Sequence, residues 1–297
     1  MRTFPYVNEE QPKHMPDKKA SRSQRLCVGS ALVCAALAWA LSLNSDYGHG
    51  EFIFASALST SVWCLSLAGA LFFFATQWCS LGHHALFNPL LAVAVNLLMS
   101  SLIFNVNIPL YLDMMGTAFI AIVYGPVLGM GTAVLTACLA SIYNPLLLVY
   151  LPVAVTVAYL FGWLARRGAF KRMLVMMLAG AGVGVVAGLL TTMCTLLLPG
   201  EYGQSGPIKL MALWELILHD GRLAVLLQSL SSDVIDKTFT TLVVCAAIRF
   251  APKPLLCLYD YPETRPSRDR VLTEDRFTLS LDEEPPRNLL DRMQRFF

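Results

Sequence analysis

Residues 106–132 read VNIPLYLDMMGTAFIAIVYGPVLGMGT, and this stretch places an aspartate, Asp113, at the start of a long apolar run that Gly125-Pro126 then interrupts. A carboxylate beside hydrocarbon costs a few kcal/mol, so such residues face a cavity, a partner or the membrane surface. Pro109 fixes the turn before Asp113 and denies a helix through it. Gly125 permits a tight reversal, and Pro126 suits the first turn of the helix that follows. The stretch therefore predicts two short apolar helices joined by a reversal, entered through a polar turn. Asp113 is expected near one membrane surface, with Asn105, Asn107 and Tyr111 as its polar neighbours.

The same apolar character extends outward on both sides. The 297 residues are 56% hydrophobic and 14% charged, the composition of an integral membrane protein. Charge gathers in the tails: of 42 charged side chains, 9 precede Leu26 and 17 follow Phe250, leaving 16 for the 225 residues between. The formal net charge of +2 comes from basic residues divided among loops and tails, which excludes a nucleic-acid-binding face.

A spanning helix needs about 20 mostly apolar residues. Segments 26–43, 52–76, 88–106, 112–124, 127–141, 145–165, 173–198 and 226–250 qualify, so the expected fold is an all-α integral membrane protein of about eight transmembrane helices, two of them short. The first span follows a basic segment without a convincing small-residue cleavage site, and it reads as an uncleaved anchor. Lys and Arg in short loops stay on the cytoplasmic side. Lys18, Lys19, Arg22 and Arg25, the loop RRGAFKR at 166–172, and Arg249 with Lys253 then all fall inside, with both termini cytoplasmic. NSDYGHGE at 44–51, the turn before Asp113, Tyr143-Asn144-Pro145 and the segment 199–227 fall outside. Within that last segment, IKLMALWELILHD at 208–220 reads as an amphipathic piece on the membrane surface.

Glycine spacing predicts close helix contacts. Gly116, Gly125, Gly129 and Gly131 strip the short helices of bulk, and Gly180, Gly184 and Gly188 recur every four residues in a later span, as in helices whose backbones approach closely. The cysteines at 27, 34, 64, 138, 194 and 245 lie within apolar spans with no CxxC pair, as small core residues do. Cys79 with His83 and His84 has the residue types of a metal cluster, but paired histidines at an interface are commonly polar turn residues.

A second polar group lies on the last span, where QSLSSDVIDKTFTT at 228–241 supplies Gln228, Ser232, Asp233, Asp236 and Lys237. Positions 229, 233, 236 and 237 share one helical face. Asp233 can pair with Lys237 while Asp236 looks along the same groove; a purely structural ion pair between helices is the competing reading.

These residues resemble the substrate-binding S components of energy-coupling-factor transporters and related membrane-embedded ligand sensors. The resemblance rests on LDxxGT, here Leu112, Asp113, Gly116 and Thr117, then on Gly125-Pro126 and Gly129 opening a second short helix, and on VIDKTFTTLVV at 234–244. It covers residues 88–250 as a six-helix core, preceded by two additional helices within 26–87 and a cytoplasmic segment 1–25, and followed by a cytoplasmic tail 251–297. It implies a bundle in a bacterial inner membrane that captures a vitamin, a precursor or a metal ion from outside, under a loop at 105–113. Candidate ligand-contacting residues are Asn107, Tyr111, Asp113, Thr117, Asn144, Asp233 and Asp236.

No GxxxxGK[ST] phosphate loop occurs in the chain, so ATPases and a coupling membrane protein would be separate chains. No nucleophile, base and orienter group suggests an enzyme, and no cofactor is implied. The tail ends in PRNLLDRMQRFF at 286–297, a short basic amphipathic helix suited to a membrane surface or a partner, after a charged, proline-bearing linker. A ligand sensor signalling through this tail and a membrane scaffold without a ligand are the alternative functions.

Overall fold

A computed structural model of the chain describes residues 22–44, 54, 56–78, 87–106, 111–197 and 205–250. The N-terminal segment up to residue 21, Asn107, the Cys79, His83 and His84 group and the tail from residue 251 lie outside the described residues. Among the described residues the fold is all-helical: α1 (Arg22–Ser42), α2 (Ala57–Trp78), α3 (Phe87–Val106), α4 (Met115–Tyr124), α5 (Pro126–Ala140), a 3₁₀ segment Pro145–Tyr150 leading into α6 (Leu151–Arg166), α7 (Met173–Leu197), α8 (Ser205–Leu218) and α9 (Gly221–Phe250). Among the described residues, four segments are long and apolar enough to cross a membrane, namely Arg22–Ser42, Ala57–Thr76, Pro145–Arg166 and Met173–Leu197.

The burial pattern is that of a membrane protein. Leucines 32, 71, 98, 178 and 189 and Phe239 are exposed, while Asn96, Thr117, Thr132, Gln228, Asp233, Asp236, Lys237 and Thr240 are buried. Polar groups inside and large apolar groups outside suit a hydrocarbon solvent, where buried polar atoms must find partners within the bundle.

Side-chain contacts fix which helix ends lie together. Gln24 on α1 donates to the Thr76 carbonyl on α2, Asn88 on α3 donates to the Tyr124 hydroxyl at the end of α4, and Gly125 sits against the Arg166 guanidinium. At the opposite end, the Trp39 indole donates to the Val149 carbonyl and the Trp63 indole to the Cys138 carbonyl. Consecutive helices from α1 to α7 therefore run antiparallel, and α9 runs against α7. Arg22, Arg25, Arg166, Arg167, Lys171, Arg172 and Arg249 gather at one end of the bundle, hereafter the basic end.

The reversal at Gly125-Pro126 forms as its residues require. Gly125 has φ +101°, a conformation that costs other residues strain, and Pro126 occupies the first position of α5. A side chain at Gly162 would begin 2.5 Å from the Pro126 nitrogen, so α6 lies directly against this turn. The α7 glycines form a seam with α9. A Cβ at Gly184 would stand 2.5 Å from the Val234 Cα, and one at Gly188 would stand 2.9 Å from the Leu230 Cα. Gly182, off this face, has open space around it.

Candidate functional site

The turn Tyr111–Met114 (residues 111–114) lies partway down the bundle. Its position is set by Asn96, which is ten residues before the end of α3 at Val106, or about 15 Å along the helix. Asn96 Oδ1 accepts the N–H groups of Gly116 (2.7 Å) and Thr117 (3.4 Å). Met114, at the N-cap of α4, makes no side-chain capping bond, so α3 supplies the cap from across the helix pair. Asn96 Nδ2 donates to the hydroxyls of Thr117 and Thr136, which ties α3, α4 and α5 together.

From the other side, α9 holds the two preceding residues. Asp236 Oδ1 accepts the N–H groups of Leu112 (2.7 Å) and Tyr111 (3.2 Å). Asp236 is fully buried, and its other oxygen binds the Lys237 ammonium. Leu112 is held at φ +46°, a conformation that costs a non-glycine residue free energy and persists where the surroundings over-determine it. Sequence placed Asp113 near a membrane surface. The structure instead sets it level with the middle of α3 and α9, because Asn96 and Asp236 satisfy the backbone of the turn at that depth.

A cavity of about 170 Å³ opens beside this turn, toward the end of the bundle opposite the basic one. That volume is far more than a single water needs. Of the candidate residues, Tyr111, Asp113, Thr117, Asn144 and Asp233 line it. Asp236 does not: it faces the backbone of the turn. Lys237 lines the cavity and approaches Asp113 Oδ1 and Asp233 Oδ1 at 3.8 Å each. Asp233 and Lys237 are buried, while 43% of the Asp113 side-chain surface is open. Among the described residues, Asp113 Oδ1 and Asp233 Oδ2 have no hydrogen-bond donor.

The rest of the wall comes from residues that the sequence did not single out. Thr136, Ala137 and Ala140 on α5, Tyr150 on the 3₁₀ segment, Thr191 and Thr195 on α7 and Met211 on α8 all reach the cavity. The Tyr150 and Thr195 hydroxyls are hydrogen-bonded at 3.1 Å. Gln228 donates to the Tyr111 hydroxyl at 3.4 Å. Burial, followed by the Asp113 carboxylate, raises the Tyr143 phenol above its ordinary range. Its hydroxyl thus remains a neutral donor at physiological pH.

The amphipathic piece at 208–220 forms most of α8 and packs on α9. Leu216 and Ile217 are exposed, and Met211 points into the cavity. The arrangement offers hydrogen-bond donors, three phenol rings, an apolar wall and two carboxylates with unfilled acceptor positions: the equipment of a small-molecule site. Comparison of the chain with protein-family models, with curated proteins and with solved structures finds no match in any of the three.

Proposed function

We propose that the chain is a membrane subunit that captures a small micronutrient from outside the cell for energy-coupled uptake, in the manner of the S components it resembles. The observation that carries this reading is the cavity itself, built at mid-bundle around charged residues and open away from the basic end. Arginines and lysines stay on the cytoplasmic side of short loops, so the basic end is cytoplasmic and the cavity faces outward. Eight crossings follow from α1–α7 and α9, with α8 on the outer surface and both termini inside. In a bacterial inner membrane this orientation delivers the ligand site to the periplasmic or external solution.

The ligand in this reading is a vitamin-sized molecule or its precursor, held by Tyr111, Asp113, Thr117, Asn144 and Asp233. Asp236 supports the turn beneath it. Energy for accumulation comes from a coupling membrane protein and ATPases on other chains. The alternative is a sensor that reports occupancy through residues 251–297, a segment whose charged linker and terminal amphipathic sequence suit an output element.

Mass spectrometry of small molecules released from the detergent-purified protein tests capture. A low-mass compound recovered in stoichiometric amount from wild type, and depleted in Asp113→Asn and Asp233→Asn, is expected. Equal recovery from all three proteins would leave the carboxylates structural. Recovery of nothing from wild type would contradict capture. Uptake that needs the separate ATPase chains indicates a transporter; a cellular response without uptake indicates a sensor.

A further inference from the structure

The charges around the cavity do not balance. Asp236 is fully engaged, with one oxygen on the Tyr111 and Leu112 N–H groups and the other on Lys237. Lys237 thus has its tightest partner already and meets Asp113 and Asp233 only at 3.8 Å. No other cationic side chain lines the cavity among the described residues. Among the described residues three carboxylates face one ammonium, and Asp113 Oδ1 and Asp233 Oδ2 remain without donors. Asp233 is 3% exposed, and a carboxylate at that depth is costly unless something pairs with it.

The surroundings indicate the shape of the missing partner. The Tyr111, Tyr143 and Tyr150 rings, with Leu146, Ala137 and Val153, form a wide apolar wall next to the two carboxylates. The Lys237 ammonium already lies 6.0 Å from the Tyr111 ring centroid, at the outer limit of a cation–π contact. An anionic ligand would add to the excess of negative charge, and a neutral one would leave that excess in place, since one ammonium already engaged by Asp236 is shared between Asp113 and Asp233. A bare metal ion would need several oxygen ligands close together, and no group of three His, Cys, Asp or Glu side chains is so placed among the described residues.

We infer that the ligand is a small organic cation, a protonated amine or amidinium on a flat apolar body, with its charged head held between Asp113 and Asp233 and its body against the tyrosines. This rests on the capture reading above and deepens it. The charged head supplies the donors that both carboxylates lack. Displacement of water from the phenol and aliphatic wall adds the apolar contribution.

The test uses the full chain in lipid nanodiscs and four probes of similar size: benzamidine, benzylamine, benzyl alcohol and benzoate. Calorimetric titration is expected to show binding of the two cations, weaker binding of benzyl alcohol and none of benzoate. Asp233→Asn should weaken benzamidine about tenfold or more, the loss of a charge-assisted hydrogen bond. Benzoate or benzyl alcohol binding as tightly as the cations would overturn the inference, as would binding of no probe. Unchanged benzamidine affinity in a folded Asp233→Asn protein would also overturn it. If that variant does not fold, the charge series on wild type decides alone. A neutral or anionic compound recovered from the purified protein would refute the cation while leaving capture intact, whereas absence of any retained compound would refute capture itself.

Discussion

Helix α9 is held by its neighbours in two different ways. Against α7 it packs backbone to backbone, with Gly184 under Val234 and Gly188 under Leu230. Against the α4 turn it is joined through polar side chains, with Asp236 accepting two N–H groups and Lys237, which also meets Asp233 on its own helix, reaching toward Asp113. The first contact is steric and continuous, and it gains from dispersion over a long seam. The second is a few directional bonds around a space. A seam of the first kind sets the frame; a junction of the second kind leaves room for a ligand beside it.

Substitutions separate the two. Gly184→Leu has the largest expected effect, about 3 kcal/mol or more, because its side chain would start inside the α9 backbone and no rotamer relieves the clash. Thermal unfolding in detergent should show loss of folded protein. Gly182→Leu, one turn face away in open space, should stay within about 0.5 kcal/mol of wild type; equal damage at both positions would refute the seam.

Asn96→Leu comes next, at about 2 kcal/mol, since the buried Gly116 N–H loses its acceptor. Asp236→Asn keeps an oxygen for the Tyr111 and Leu112 N–H groups but removes the charge against Lys237. Asp113 and Asp233 stand close enough to compensate in part, so about 2 kcal/mol or less is expected. Hydrogen exchange at Leu112 and Gly116 should rise in both variants, ahead of any change along α7. Removal of residues 260–297 should have the smallest effect: ligand binding unchanged in titrations, because that tail follows the basic end of α9.

The steric half of this comparison is legible in the sequence because its cause is local. Gly180, Gly184 and Gly188 repeat at the helical period, and Gly125-Pro126 is a reversal in two adjacent letters. The order of apolar segments likewise gives the helices to within a few residues, although α2 begins at Ala57, later than the expected 52, and α9 at Gly221, earlier than the expected 226. The polar half is less legible because its partners are far apart in sequence. Asn96 lies 20 residues from Gly116, and Asp236 lies 124 from Leu112. Nothing in the spacing of Asp233, Asp236 and Lys237 says which carboxylate faces the turn and which the cavity. Asn96 stands alone among apolar residues in LLAVAVNLLMS at 90–100, a type of residue that needs a buried partner in an apolar helix, but nothing local names that partner. The threonines of α5 and α7 gave no signal, since threonine in an apolar helix can satisfy itself on the preceding turn, as Thr132 and Thr192 do.

Native mass spectrometry of the intact protein, released from nanodiscs prepared from cells in rich medium, measures occupancy of the cavity directly. Wild type should carry one low-mass adduct per chain. The adduct should be absent from Ala137→Trp, which fills the cavity from α5, and from Asp233→Asn, while Gly182→Leu on the outer face of α7 retains it. Wild-type protein without any adduct, or an adduct that persists in folded Ala137→Trp, would contradict capture of a small molecule in this cavity.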